Sequence, residues 1–241
     1  MQRSNYIRGV LVCVLSAGSA CGPRAHIPPR PPQPELLGTA IPAEDPGARL
    51  ARSLAPVLFA QRDEYFPLER VVAVLHPTRR IIAYHLLWRD DVHGSWIPFT
   101  VATDQEIVWV GYDSTGGPTD LWTFWHGTIL HTPWNRQTVT INVQWGKHGS
   151  MPRGIVESDL PTPKKLNDFY AFHYLAIWDM WLGKLTRPGP GCFCHGYRRY
   201  REYVDPIVVG DKIDAVARTD NPREILRAVF GRYSRKKPWP E

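Results

Sequence analysis

The sequence predicts a mostly β fold with peripheral helices, of α+β class and built as an antiparallel β-sandwich, and three observations predict it. Ten Trp, ten Tyr and eight Phe favour strands and aromatic packing. With 23 Pro and 19 Gly the chain has many turns and little room for long helices. Five strand-like runs follow one another at short spacing, which suits a sandwich better than alternating strand and helix. At 241 residues and 43% hydrophobic content, one sizeable core is expected.

Residues 1–21 read as an export signal. Arg3 and Arg8 precede the short apolar run "GVLVCVLSA", too short to span a bilayer permanently, and small residues follow. Cys21 directly after "GSA" is similar to the lipobox of bacterial lipoproteins, with Gly18 where that motif usually carries Leu. The expectation is a membrane anchor through lipidated Cys21, with cleavage after Ala20 and secretion as the alternative. The mature chain is thus expected in the cell envelope, at the bacterial outer membrane or in the periplasm, or secreted. Residues 22–46 are Pro-rich and poor in bulky side chains, as in an extended linker between anchor and domain.

The domain is expected over 47–241, as a single sandwich with a C-terminal helical and loop extension. It opens on "PGARLARSLAPVLFA", where Leu50, Leu54, Val57 and Leu58 share a helical stripe. Strands are read at 70–76, 80–88, 106–112, 120–127 and 138–145, with breaks "PTRR", "STGGPT" and "TPWNRQ" between them. A helix buried on several sides is expected from Pro163 to Leu182. Asn221, Pro222, Glu224 and Gly231 punctuate a second one near the end.

Cys192 and Cys194, beside His195 in "CFCH", form either a strained or redox-labile disulfide or part of a soft-metal site for zinc or copper. The net charge of +6 comes largely from short basic segments unaccompanied by a nucleic-acid motif. Together with export, this argues against a nucleic-acid partner.

Residues two apart on a strand share a face, so Asp104 and Glu106 project together at the mouth of a buried strand. Two carboxylates so placed need a cation, an Arg or a metal between them. Neighbouring strand ends offer His85, Arg89, Asp90, Asp91, His93, His126, Lys147 and His148. Carboxylates with imidazoles suit Mg, Ca or Mn, and a histidine-rich subset suits Zn. The plainer alternative pairs the acids with Arg89 or Lys147.

The ordered set "YHLLWRDD", "DQEIVWV", "WTFWHG" and "VQWGKHGSMP" resembles the pattern of the necrosis-inducing toxin-like proteins and the related vacuolar sorting-associated proteins, over about residues 80–153. The resemblance implies a β-sandwich with a divalent cation. Carried onto this chain, it matches Asp104, Glu106, Asp91 (or Asp90), His126 and His148 to that family's acid and histidine positions. The chain departs from the pattern at "FTVAT", where toxin members carry a His-Arg-His run, and at Gln105, where they carry Trp.

Three functions are expected to compete. The first is an exported, lipid-anchored protein that uses a divalent cation to bind a polar headgroup or glycan, with Trp122, Trp125 and Trp145 as stacking surfaces. The second is a metal-dependent hydrolase, in which His126 or His148 moves protons or Asp104 and Glu106 act as acid and base. The third is a structural envelope lipoprotein without a ligand.

Overall fold

The computed structural model describes residues 38–61, 64, 66–89, 104–125, 127–144, 146, 148–155, 203–231 and 236–240. The signal, most of the linker, the helix expected over 163–182, and Cys192, Cys194 and His195 lie outside them.

Among the described residues, helix α1 (Pro46–Ser53) comes first, and ten strands follow. They are β1 (Val57–Gln61), β2 (Leu68–Leu75), β3 (Ile81–Trp88), β4 (Asp104–Tyr112), β5 (Pro118–Trp125), β6 (Thr128–Pro133), β7 (Thr140–Val143), β8 (Ser150–Pro152), β9 (Tyr203–Val208) and β10 (Ile213–Arg218). Helix α2 (Arg223–Phe230) ends the described chain but for Gly231 and residues 236–240. One sheet has six strands in the order β10-β2-β3-β4-β5-β6, and the other four in the order β8-β7-β1-β9.

The mostly β sandwich predicted from sequence is what forms, but both sheets are mixed. β1 pairs in parallel with β7, and β10 in parallel with β2, while the remaining pairs are antiparallel. Alternating hydrophobicity sets which face of a strand is buried but not the direction of its neighbour.

Helix α1 begins where expected, with Asp45 capping the Gly47 N–H at 2.6 Å and Pro46 in the first turn. It ends at Ser53, and Val57 and Leu58 are in a strand, not on the helical stripe. Pro56 is the reason, because it offers no N–H and drives Ala55 out of helical geometry. Residues expected in the linker are already paired: Ala40 bridges Ala217, and Arg218 N donates to Thr39 O at 2.9 Å.

Between the sheets, Leu58, Ile141 and Val143 pack against Val71, Tyr84, Leu86, Val108 and Val110. The outer face of the six-stranded sheet is covered separately. There Val72, Ala83, Ile107 and Trp109 lie under Ile225, Leu226, Val229 and Phe230 of α2, together with Trp239. With both faces covered, every residue of β3 is buried, as are the seven central residues of β4. Helix α2 starts one residue later than the punctuation suggested. Pro222 takes the cap position, Asn221 Oδ1 accepts from Arg223 N at 3.3 Å, and Gly231 ends the helix at φ 76°.

Candidate functional site

Strand β4 enters the sheet at Asp104, opposite Trp88 at the end of β3. Strand β7 leaves the other sheet through Gln144, whose backbone is tied to the far side of the turn. Gln144 N donates to Gly149 O at 2.9 Å, and His148 N donates to Gln144 O at 3.0 Å. Within that turn Gly146 has φ 66° and His148 φ 52°. A left-handed non-glycine residue costs about 1 kcal/mol, so surrounding contacts must hold it.

Those contacts are specific. The His148 ring is fully buried and stacks on Trp88, with centroids 4.0 Å apart and planes 6° from parallel. Phe66 meets it edge-on at 6.2 Å. His148 Nδ1 lies 2.8 Å from Asp104 Oδ2, and Nε2 lies 3.4 Å from Glu64 Oε1, an ion-pair distance. Glu64, in the β1–β2 connection, is itself fixed: Phe66 N donates to Oε1 at 3.0 Å and Gly146 N to Oε2 at 2.8 Å.

Burial opposes a charge on His148, but Glu64 and Asp104 flank it closely enough to prevail and raise its pKa to about 10. The ring is therefore an imidazolium at neutral pH. Both its nitrogens then carry protons, and its positive charge faces the Trp88 π system. Asp104 keeps a side-chain exposure of 14%.

Glu106, two residues along β4, has a different cation. Its Oε1 is 2.7 Å from Lys236 Nζ, while Oε2 is buried with no hydrogen-bond partner among the described residues. Pairing of β4 with β5 starts only at Val108 and Thr123, and the Lys236 ammonium lies beside the unpaired stretch of β4. It donates to Gln105 O and sits 4.5 Å from the Phe124 ring centroid. Burial raises the Glu106 pKa to about 8, Lys236 pulling it down and Asp104 adding to the rise. Burial, assisted by Lys236, lowers His85 to about 3, so that imidazole is neutral.

Of the residues expected from sequence, Asp104 and His148 are brought together, with Glu106 beside them. Asp90, Asp91, His93, His126, Trp145 and Lys147 lie outside the described residues, as does Cys21. Arg89 does not serve the acids, since its Nε donates to Glu69 Oε1 at 2.5 Å. Trp125 is buried core, and Trp122 is covered by His131, stacked 4.7 Å away at 12°. Among the described residues no group of three or more His, Cys, Asp or Glu is arranged to hold a metal ion. Asp104 instead lies 2.8 Å from His148, and Glu106 lies 2.7 Å from Lys236. Sequence reasoning missed Glu64 and Lys236. The acid in "QRDEYF" lay between predicted elements, and Lys236 belongs to a basic run that reads as solvated.

Fold and site define a two-sheet β-sandwich protein with a buried acid–imidazolium–acid network closing one sheet end. No protein-family profile and no curated protein matches the chain. Among solved structures it is similar to NLPPya in complex with glucosamine, at TM-score 0.34 and 13% identity over 49% of this chain and 72% of that one. It is similar to NLPPya in complex with mannosamine at TM-score 0.34 and 14% identity, over the same 49% and 72%. A mutant of NLPPya gives TM-score 0.33 and 11% identity over 56% and 93%. NLPPya is a necrosis- and ethylene-inducing-like toxin, and the likeness is distant and assigns this chain to no family.

Proposed function

We propose that this chain is an exported, lipid-anchored β-sandwich protein that binds a polar headgroup or glycan at the rim where β4 begins. The observation that supports this reading is Asp104. Its Oδ2 is held at 2.8 Å by a buried imidazolium, while the carboxylate retains some exposure. A carboxylate oriented from behind in this way is a preorganised acceptor for ligand hydroxyl or ammonium groups, with little reorganisation on binding. Titrating the purified domain against an array of glycans and lipid headgroups tests the reading. Saturable binding lost in Asp104→Asn supports it, and an empty array refutes it. Mass spectrometry for a lipid on Cys21 tests the anchor.

A second reading adds a divalent cation, Mg, Ca or Mn before Zn, held by Asp104 and Glu106 with Asp91, His126 and His148. Glu106 Oε2 favours it, being buried with no hydrogen-bond partner among the described residues. Lys236 and the His148 imidazolium oppose it, since both occupy the acids and a protonated ring offers no lone pair.

A further inference from the structure

The outer face of the six-stranded sheet carries a second concavity, on the other side of β4 from His148. Ile107 there belongs to the cluster under α2, whereas Val108, Trp88 and Tyr84 belong to the core between the sheets. The cavity holds about 290 Å³ and lies between the sheet, the first turn of α2 and residues 236–238. That volume is near the lower end of small-molecule sites.

Its chemistry is lopsided. Ile107, Leu226 and Phe230 provide apolar walls, and among the described residues Arg223, Lys236 and Lys237 stand against one acid, Glu106. The start of α2, at Asn221, Pro222 and Arg223, also lines it. Pro222 has no N–H, and those of Asn221 and Arg223 go to Thr219 Oγ1 and Asn221 Oδ1, so this helix start favours an anion through the positive end of its dipole. An independent feature points to an occupant. His85 lines the cavity at 9% exposure, and its Nε2 is buried with no hydrogen-bond partner among the described residues. A buried polar atom of this kind costs roughly 1–3 kcal/mol when unsatisfied, a cost that a ligand group can remove.

We propose that this cavity binds a small organic oxyanion, a carboxylate or phosphate monoester on a short aliphatic body. The head lies toward Arg223, Lys237 and the α2 N-terminus, with His85 Nε2 hydrogen-bonded to it, and the aliphatic part lies along Leu226 and Phe230. This site does not depend on ligand binding at the Asp104 rim.

Calorimetric titration of the full chain with hexanoate and hexyl phosphate tests the proposal, with hexylammonium and hexanol as controls. The expected result is one-to-one binding of at least one anion, with the two arms separating carboxylate from phosphate. Both controls should bind at least tenfold more weakly. Arg223→Glu, an exposed change, should weaken the anion at least tenfold. If Arg223→Glu fails to fold, Lys237→Glu gives the same readout. The proposal is overturned if neither anion binds, if hexylammonium binds as tightly, or if the charge reversal leaves affinity unchanged.

Discussion

The rings of His148 and Trp88 lie face to face, 4.0 Å apart and 6° from parallel, while the imidazole nitrogens face Asp104 and Glu64. One buried cation thus ties the β7–β8 turn to the ends of β3 and β4 and to the β1–β2 connection. Removing it takes from the partly buried Asp104 and Glu64 the cation they share, a change that usually costs more than the pair itself contributes. His148→Gln should therefore destabilise the fold by about 3 kcal/mol. Urea unfolding measures this, and a loss below about 0.5 kcal/mol, the range of ordinary surface substitutions, would show that the network carries little stability.

The same network predicts an unusual pH profile. His148 has its pKa raised from 6.5 to about 10, so its contribution is complete below pH 6.5 and is lost as pH rises through 10. Glu106 has its pKa raised from 4.5 to about 8, so the folded state also holds an extra proton there, and stability falls as pH rises across that window. His85, lowered from 6.5 to about 3, acts oppositely, and stability rises with pH from 3 to 6.5. The sum is a plateau between about pH 4.5 and 6.5, then a decline of up to about 1.4 kcal/mol per pH unit for each group still titrating. Thermal melts from pH 4 to 10 check it, and a maximum above pH 8 contradicts the assignment.

Much of this site was legible in the sequence because its groups terminate strands. The period of two put Asp104 and Glu106 on one face, and the glycine-flanked turn put His148 at a sheet end. Glu64 was not legible, since nothing local links it to Gly146, 82 residues away. Lys236, 131 residues from Gln105, was equally distant. Strand β9 went unread for another reason: Asp205 and Pro206 interrupt its pattern, which a strand tolerates where one side of its backbone has no partner, as for β9 among the described residues. The mixed sheet directions were not legible at all, because burial periodicity is the same in both.

Lys236 and Glu106 form a buried pair at 2.7 Å, so single substitutions should be costly and the double one mild. Lys236→Met removes the ammonium that pulls the Glu106 pKa down, leaving a protonated carboxyl whose Oε1 has lost its donor, and should cost about 2 kcal/mol. Adding Glu106→Gln should recover at least about 1 kcal/mol of that, the lower range for coupled neighbours. Denaturant unfolding of the four proteins in the cycle measures the coupling, and strictly additive losses would show that the two groups do not interact.

Residues 236–240 also secure the outer face of the sheet. Trp239 is 7% exposed, donates from Nε1 to Asp220 O at 2.8 Å, and lies under Arg79 at 5.5 Å and beside His76 at 4.7 Å. Trp109 Nε1 donates to Pro238 O at 2.8 Å, so the segment is anchored at two points. Trp239→Ala should cost about 3 kcal/mol, in the range for large aromatic truncations. It should also speed proteolysis at the C-terminus by more than at other sites. Uniform acceleration at all cleavage sites would mean that Trp239 supports the whole domain and not this segment alone.

Metal ions separate the two readings of the acidic rim. Anything that binds only the folded state stabilises it by RT ln(1 + [L]/Kd), about 2.7 kcal/mol at one hundred times Kd. If Ca or Mg joins Asp104 and Glu106, it must displace the Lys236 ammonium from Glu106 Oε1 and compete with the His148 imidazolium for Asp104. The built-in cations therefore predict weak metal binding in the native chain and stronger binding once Lys236 is neutral. Thermal melts in millimolar Ca or Mg should shift the native protein little and Lys236→Met more, with the gain lost in Lys236→Met/Asp104→Asn. A large shift in the native protein that chelation reverses and Asp104→Asn abolishes would instead establish the cation as a resident part of the rim, with Lys236 giving way to it.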